Sequence, residues 1–157
     1  MKHKIYQFLI VIIAINFTFI PFSKAQTYPK TVLKDMDTHC RAEWTKRGEL
    51  DKRMYDYCIK QEKEGYDEML YIIEKNKNYE WLQDLKSDII IKWTKAGVTQ
   101  WRMVGYALEQ ELDAYLDLQY GLSHGEFNKA DYNVCYTKWR ESKPADVWGM
   151  TLYCLKK

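Results

Sequence analysis

Apolar and small residues recur at intervals of three and four along most of the chain, the pattern of helices that bury one face. Met54, Tyr57, Cys58, Gln61, Gly65, Met69 and Ile73 make one such stripe, and Trp81, Leu82, Leu85, Ile89 and Trp93 make a second. Met103, Tyr106, Ala107, Gln110, Ala114 and Leu118 make a third. The breaks between stripes are Gly48, Asn76-Lys77-Asn78, Ala96-Gly97, the segment 121–125 and Ser142-Lys143-Pro144. Together they predict six helices near 35–46, 50–75, 79–96, 100–119, 126–141 and 145–157, with Asp35 and Thr99 as candidate N-caps. Residues 26–34 read as a loose tail. The three prolines fall outside the predicted helix interiors, and no alternating run bounded by hairpin turns suggests a strand.

The stripes echo one another. Cys40-x3-Trp44 followed by Met54-x2-Tyr57-Cys58 returns as Cys135-x3-Trp139 followed by Met150-x2-Tyr153-Cys154. A middle copy keeps Trp93, Met103 and Tyr106 and places Ile89 and Ala107 where the cysteines would stand. The likeness continues as Gln61 with Gln110, Gly65 with Ala114, Tyr66 with Tyr115 and Met69 with Leu118. A period of about 46–49 residues falls in the range of helical repeats.

Two cysteine positions that become apolar together behave as a bonded pair. A breaker lies at or beside the midpoint of each pair: Gly48, Gly97 and Pro144. Folding about those midpoints puts the paired positions level on two antiparallel helices, within the Cα separation a disulfide tolerates. The reading is therefore an all-α fold of three antiparallel hairpins, about 35–75, 79–119 and 126–157. These form one small repeat-like bundle, stapled by Cys40–Cys58 and Cys135–Cys154. Trp44, Trp93 and Trp139, with Tyr57, Tyr106 and Tyr153, are assigned to the hairpin cores.

The N-terminus has the form of a secretory signal. Lys2 and Lys4 precede an apolar run from Ile5 to Ile20, Pro21 ends it, and Ser23-Lys24-Ala25 fits a small-x-small cleavage site. The expectation is a signal peptide over 1–25 and a single domain over 26–157, exported to the periplasm or secreted, with no stable membrane anchor after cleavage. Paired cysteines suit that compartment. Removing Lys2, Lys4 and Lys24 from the 24 basic residues leaves 21 against 22 acidic ones, a net charge near −1. No basic block remains to bind nucleic acid.

Candidate chemistry is sparse. The cysteine spacings match neither zinc sites nor redox C-x2-C motifs, and His39 has no counterpart in the other copies. His124 sits in the 121–125 segment beside Ser123 and reads as a solvated loop histidine. Asp51 and Asp146 hold equivalent positions at the start of second helices and read as helix-start carboxylates. Glu109, Glu111 and Asp113 read as an outer helix face. No catalytic, cofactor or metal residues are assigned. Aromatics are 15% of residues, so those outside the shared set (Trp81, Trp101, Trp148, Tyr55, Tyr120 and Tyr136) are candidates for a binding face.

The motif C-x3-W, an Asp, then M-x2-Y-C-x2-Q resembles one found in small exported bacterial and phage-associated proteins. It covers Cys40 to Gln61 fully and Cys135 to Cys154 without the glutamine. That group has no assigned reaction, so the resemblance implies a fold and transfers no catalytic residue. The function expected is a non-enzymatic protein-binding module of the bacterial envelope, for example an inhibitor or immunity-type protein. The alternatives are a self-associating envelope or virion component, or an enzyme with a site assembled from Asp51, Asp146 or His124.

Overall fold

A computed structural model describes residues 27–157, so the expected signal peptide lies outside the described residues. Six helices carry the fold: α1 Lys30–Trp44, α2 Lys52–Lys75, α3 Trp81–Trp93, α4 Trp101–Ser123, α5 Lys129–Ser142 and α6 Val147–Leu155. They pack as three successive pairs, α1 on α2, α3 on α4 and α5 on α6. The pairs join mainly through α2 against α4 and α4 against α6. Among the described residues no helix is long and apolar enough to cross a membrane.

The first two pairs turn through two-residue strands that the sequence did not announce. β1 Thr45–Lys46 pairs with β2 Glu49–Leu50, and β3 Thr94–Lys95 with β4 Val98–Thr99. Each turn has positive φ at both central residues, Arg47 54° and Gly48 84°, Ala96 50° and Gly97 77°. That is the two-residue hairpin geometry whose twist suits antiparallel strands, and glycine at the second position removes half of its strain. In the third pair, one residue longer between Trp139 and Met150, a 3-10 turn at Pro144–Asp146 replaces the hairpin.

Both disulfides form as expected, Cys40–Cys58 with Cα atoms 5.7 Å apart and Cys135–Cys154 with 6.0 Å. Each closes a short loop, and chain-entropy arguments give such a bridge about 3 kcal/mol. Several boundaries differ from expectation: α3 ends at Trp93 rather than 96, and Gln100 rather than Thr99 precedes α4. The tail assigned as loose is helical from Lys30, because Val32 and Met36 continue the buried stripe of Cys40, and Pro29 rather than Asp35 precedes the helix. Tyr28 then packs tilted against Tyr66, with centroids 5.9 Å apart, and donates to Asp67 at 2.8 Å. Helix α4 continues through Gly121 to Ser123, where a loop was expected, and α5 starts at Lys129 rather than 126.

The core face of α2 is Cys58, Glu62, Gly65, Met69 and Ile72. It is rotated from the stripe read in the sequence, so Tyr57 turns outward. Helix α2 meets α4 at an unusually close crossing. A Cβ on Gly65 would fall 2.3 Å from Arg102 Cα, and one on Gly105 would fall 2.3 Å from the Gly65 carbonyl oxygen. Backbone that close cannot retreat from a side chain without separating the helices.

Gly65→Ala is therefore expected to destabilise the fold by at least about 1–3 kcal/mol, the usual range for overpacking, read as a lower urea midpoint. Ile89 and Ala107 stand where the flanking pairs have cysteines. The double substitution Ile89→Cys and Ala107→Cys should oxidise to a third bridge, detected by non-reducing peptide mapping.

Candidate functional site

Two glutamates are buried where each helix pair joins the next. Glu62, on α2, is 2% exposed and accepts hydrogen bonds from the backbone N–H of Trp101 at 2.5 Å and of Arg102 at 3.3 Å. Glu111, on α4, is 6% exposed and accepts from Trp148 N–H at 2.7 Å and Gly149 N–H at 3.2 Å. Each carboxylate thus caps the first turn of the second helix in the following pair. The first N–H groups of a helix have no intrahelical partner, and they attract negative charge.

The tyrosine one turn after each glutamate completes the same arrangement. Tyr66 packs edge-on against Trp101 with centroids 5.0 Å apart, and Tyr115 does so against Trp148, also at 5.0 Å. Glu62 and Glu111 lie at matching positions in the sequence echo, as do Trp101 and Trp148, and Tyr66 and Tyr115. Glu111, expected on the outer face of α4, is therefore a core residue. Glu109 and Asp113 are exposed as expected. The helix-start role was assigned to Asp51 and Asp146. Asp51 fills it, accepting from Met54 N–H at 3.1 Å. Asp146 instead pairs with Lys92 across 54 residues of sequence.

Burial pushes both glutamates toward the neutral form. It raises Glu111 to about 7, reinforced by Asp146 and opposed by the two N–H donors and Lys92. Glu62 is raised in the same sense, while His39, the N–H groups of Arg102 and Trp101, and the Arg102 charge pull it back. His39 Nε2 lies 3.5 Å from Glu43 and 3.7 Å from Glu62, beside a cavity of about 40 Å³. His39, Glu43 and Cys58 bring three potential metal donors within 4.8 Å. Cys58 Sγ, however, is bonded to Cys40 and carries no thiolate, so the cluster keeps only His39 and Glu43 as free donors.

The expected enzyme residues stay apart. Asp51 sits at the start of α2, Asp146 at the start of α6, and His124 caps the far end of α4 beside Ser123 and Tyr120. A groove of about 420 Å³ between α3 and α6 holds Glu80, Asp84, Asp88 and Arg140 over Trp81 and Trp148. Its lining contains no histidine, serine, cysteine or lysine.

The aromatics sort differently from expectation. Trp81, Trp148 and Tyr136, proposed for a binding face, pack with Tyr79 and Tyr115 into one cluster, and Trp101 is buried. Tyr55 turns inward to donate to Asp37 at 2.5 Å. Trp44, Trp93 and Trp139 are half-buried. Tyr57, Tyr106 and Tyr153, assigned to hairpin cores, are 54%, 56% and 54% exposed. Tyr71 and Tyr120, at matching positions further along α2 and α4, are both 58% exposed.

These tyrosines belong to a longer pattern. On α2, Arg53, Tyr57, Gln61, Glu64, Glu68, Tyr71 and Lys75 follow at intervals of three and four. On α4, Arg102, Tyr106, Gln110, Asp113, Asp117, Tyr120 and His124 repeat that order at the same intervals. With 3.6 residues per turn and 1.5 Å rise, each set stays within about 80° of one face and spans about 33 Å. All but half-buried Gln61 are exposed. The last residue of each stripe lies on the tyrosine before it: Lys75 Nζ is 5.6 Å from the Tyr71 centroid, and the His124 ring stacks at 4.0 Å on Tyr120. The stripes adjoin, since Arg102 lines the same small cavity as Tyr57 and Gln61. The signal was present in the sequence as one constant offset between α2 and α4, but it was followed only at positions read as core.

Comparison of the chain with protein-family models, curated proteins and solved structures finds no significant match.

The raised glutamates set the sign of a pH effect. A carboxyl whose pKa is higher folded than unfolded stabilises the fold most below the unfolded value, and that contribution is lost as pH rises through the folded one. Between pH 4.5 and about 7, Glu111 should therefore lower stability as pH rises, by up to on the order of 3 kcal/mol. Urea unfolding at stepped pH should show this fall, and Glu111→Gln should flatten it.

Proposed function

We propose that the chain is an exported, non-enzymatic protein-binding module built from three related hairpins, with the paired stripes of α2 and α4 as its binding face. The observation that carries this reading is the repetition of surface chemistry. Packing accounts for matched residues at buried positions such as Glu62 and Glu111. It places no such demand on Arg53, Tyr57, Glu64, Glu68 and Tyr71, which nevertheless match Arg102, Tyr106, Asp113, Asp117 and Tyr120 in type and order. Tyrosine and arginine are also the side chains that most often anchor protein interfaces, offering large contact area with few torsions to freeze.

Two disulfides in a chain of this size suit an oxidising compartment, which supports export. The separation of Asp51, Asp146 and His124 removes the particular site that the enzyme reading named. An inhibitor or immunity-type protein of the bacterial envelope is the concrete version, resting on the general class of small exported helical binders.

The test compares two immobilised proteins, wild type and Tyr57→Ser/Tyr71→Ser/Tyr106→Ser/Tyr120→Ser, in capture from envelope and secreted extracts. Exposed substitutions of this kind should each cost within about 0.5 kcal/mol, so circular dichroism should find both folded. The expected result is one stoichiometric protein held by the wild type and lost by the variant. Equal retention by both would contradict the assignment of the face.

A further inference from the structure

Side-chain chemistry along the stripes follows one order: an arginine, a tyrosine, a glutamine, two acids, a tyrosine and a basic residue type, Lys75 on α2 and His124 on α4. On α2 the acids are Glu64 and Glu68; on α4 they are Asp113 and Asp117. Within each pair the spacing is one helical turn, about 6 Å along the axis. Glu64 is partly occupied by Lys60 at 3.6 Å and Gln61 at 2.6 Å. Among the described residues, Glu68, Asp113 and Asp117 make no ion pair. Each stripe therefore offers a negative centre and aromatic shoulders, with an arginine at its start and, on α2, a lysine at its end.

Resting on the binding-face reading above, we infer that the two stripes are equivalent docking sites for one kind of ligand, a helical protein segment with a basic centre and acidic ends. The chain engages two such segments side by side.

Charge complementarity selects this occupant. Two cations a turn apart on the ligand meet the paired acids, and apolar residues beside them cover the tyrosines. The end cations Arg53 and Lys75 on α2, and Arg102 on α4, repel a ligand that is basic throughout and so exclude most polycations. A helix is favoured over an extended strand because the stripe is straight and advances at the helical rise, so a second helix laid along it keeps register over the whole length. Because the stripes adjoin at Arg102, a partner presenting both segments gains from their effective concentration.

The experiment uses the disulfide-bonded protein and an alanine-based helical peptide long enough to span a stripe. The peptide has two central lysines four residues apart, a leucine on either side and a glutamate near each end. Calorimetry should give two peptides per chain with one affinity. Asp113→Asn/Asp117→Asn should reduce this to one and leave the remaining affinity within about twofold, as independent sites require. Glu64→Gln/Glu68→Gln should do the same, and the fourfold variant should bind none.

One peptide per wild-type chain, unchanged stoichiometry in the double variants, equal binding of a peptide with lysines and glutamates exchanged, or no binding would each overturn the inference. Absence of peptide binding alongside tyrosine-dependent capture of a protein would sink this ligand class alone. Capture that ignores the tyrosines would sink the binding face itself.

Discussion

Everything in this fold depends on how the start of one helix is buried against the flank of another. A helix N-terminus carries N–H groups that need acceptors, and packing excludes the water that would serve. Glu62 and Glu111 supply the acceptor from the preceding helix pair, so two parts of the chain about forty residues apart are joined by hydrogen bonds rather than by apolar area alone. A buried carboxylate is expensive, and each joint places basic side chains of its own beside it. His39 and Arg102 face Glu62, whereas Lys92, itself paired with Asp146, faces Glu111. Different counter-charges serving one hydrogen-bond geometry identify that geometry as the feature both joints share.

The steric requirements of the joints are met differently. At the first, Gly65 and Gly105 let α2 and α4 cross almost backbone to backbone. At the second, the position matching Gly65 is Ala114, and the position matching Arg102 is Gly149, where a Cβ would stand 2.8 Å from Glu111 Oε1. Room is made on both helices at the first joint and on the later helix at the second, while the edge-on tyrosine and tryptophan keep one spacing. Since the joints share their hydrogen bonds and aromatic contact, matching positions on α2 and α4 present matching surfaces. That is why an outward stripe can occur twice, and why binding is argued from the joints outward.

The sequence showed what depends on local spacing. Cysteines lost together, with a breaker at each midpoint, identified the disulfides and the hairpins because a bridge needs only two level positions. It hid what depends on the identity of a distant partner. Glu111 looked solvated because charges on helices usually are, and nothing near it in sequence announces Trp148. Tyr57, Tyr106 and Tyr153 are exposed for a related reason: recurrence in every copy suggests packing, yet the adjacent Cys58, Ala107 and Cys154 already fill the contact with the first helix. Only the first turn of α1, before Asp35, differs from the expected helix: Val32 continues the stripe of Met36 and Cys40 past the helix-start signal at Asp35. The two-residue strands were too short for any alternation.

The most direct measurement of the joint is a pH titration of backbone amide shifts by nuclear magnetic resonance in the folded protein. The account predicts that the Trp148 and Gly149 amides move together with one midpoint near 7, well above an ordinary glutamate, as Glu111 gains its proton. Amides that titrate at the usual glutamate value, or do not respond between pH 4 and 8, would contradict a buried carboxylate capping α6.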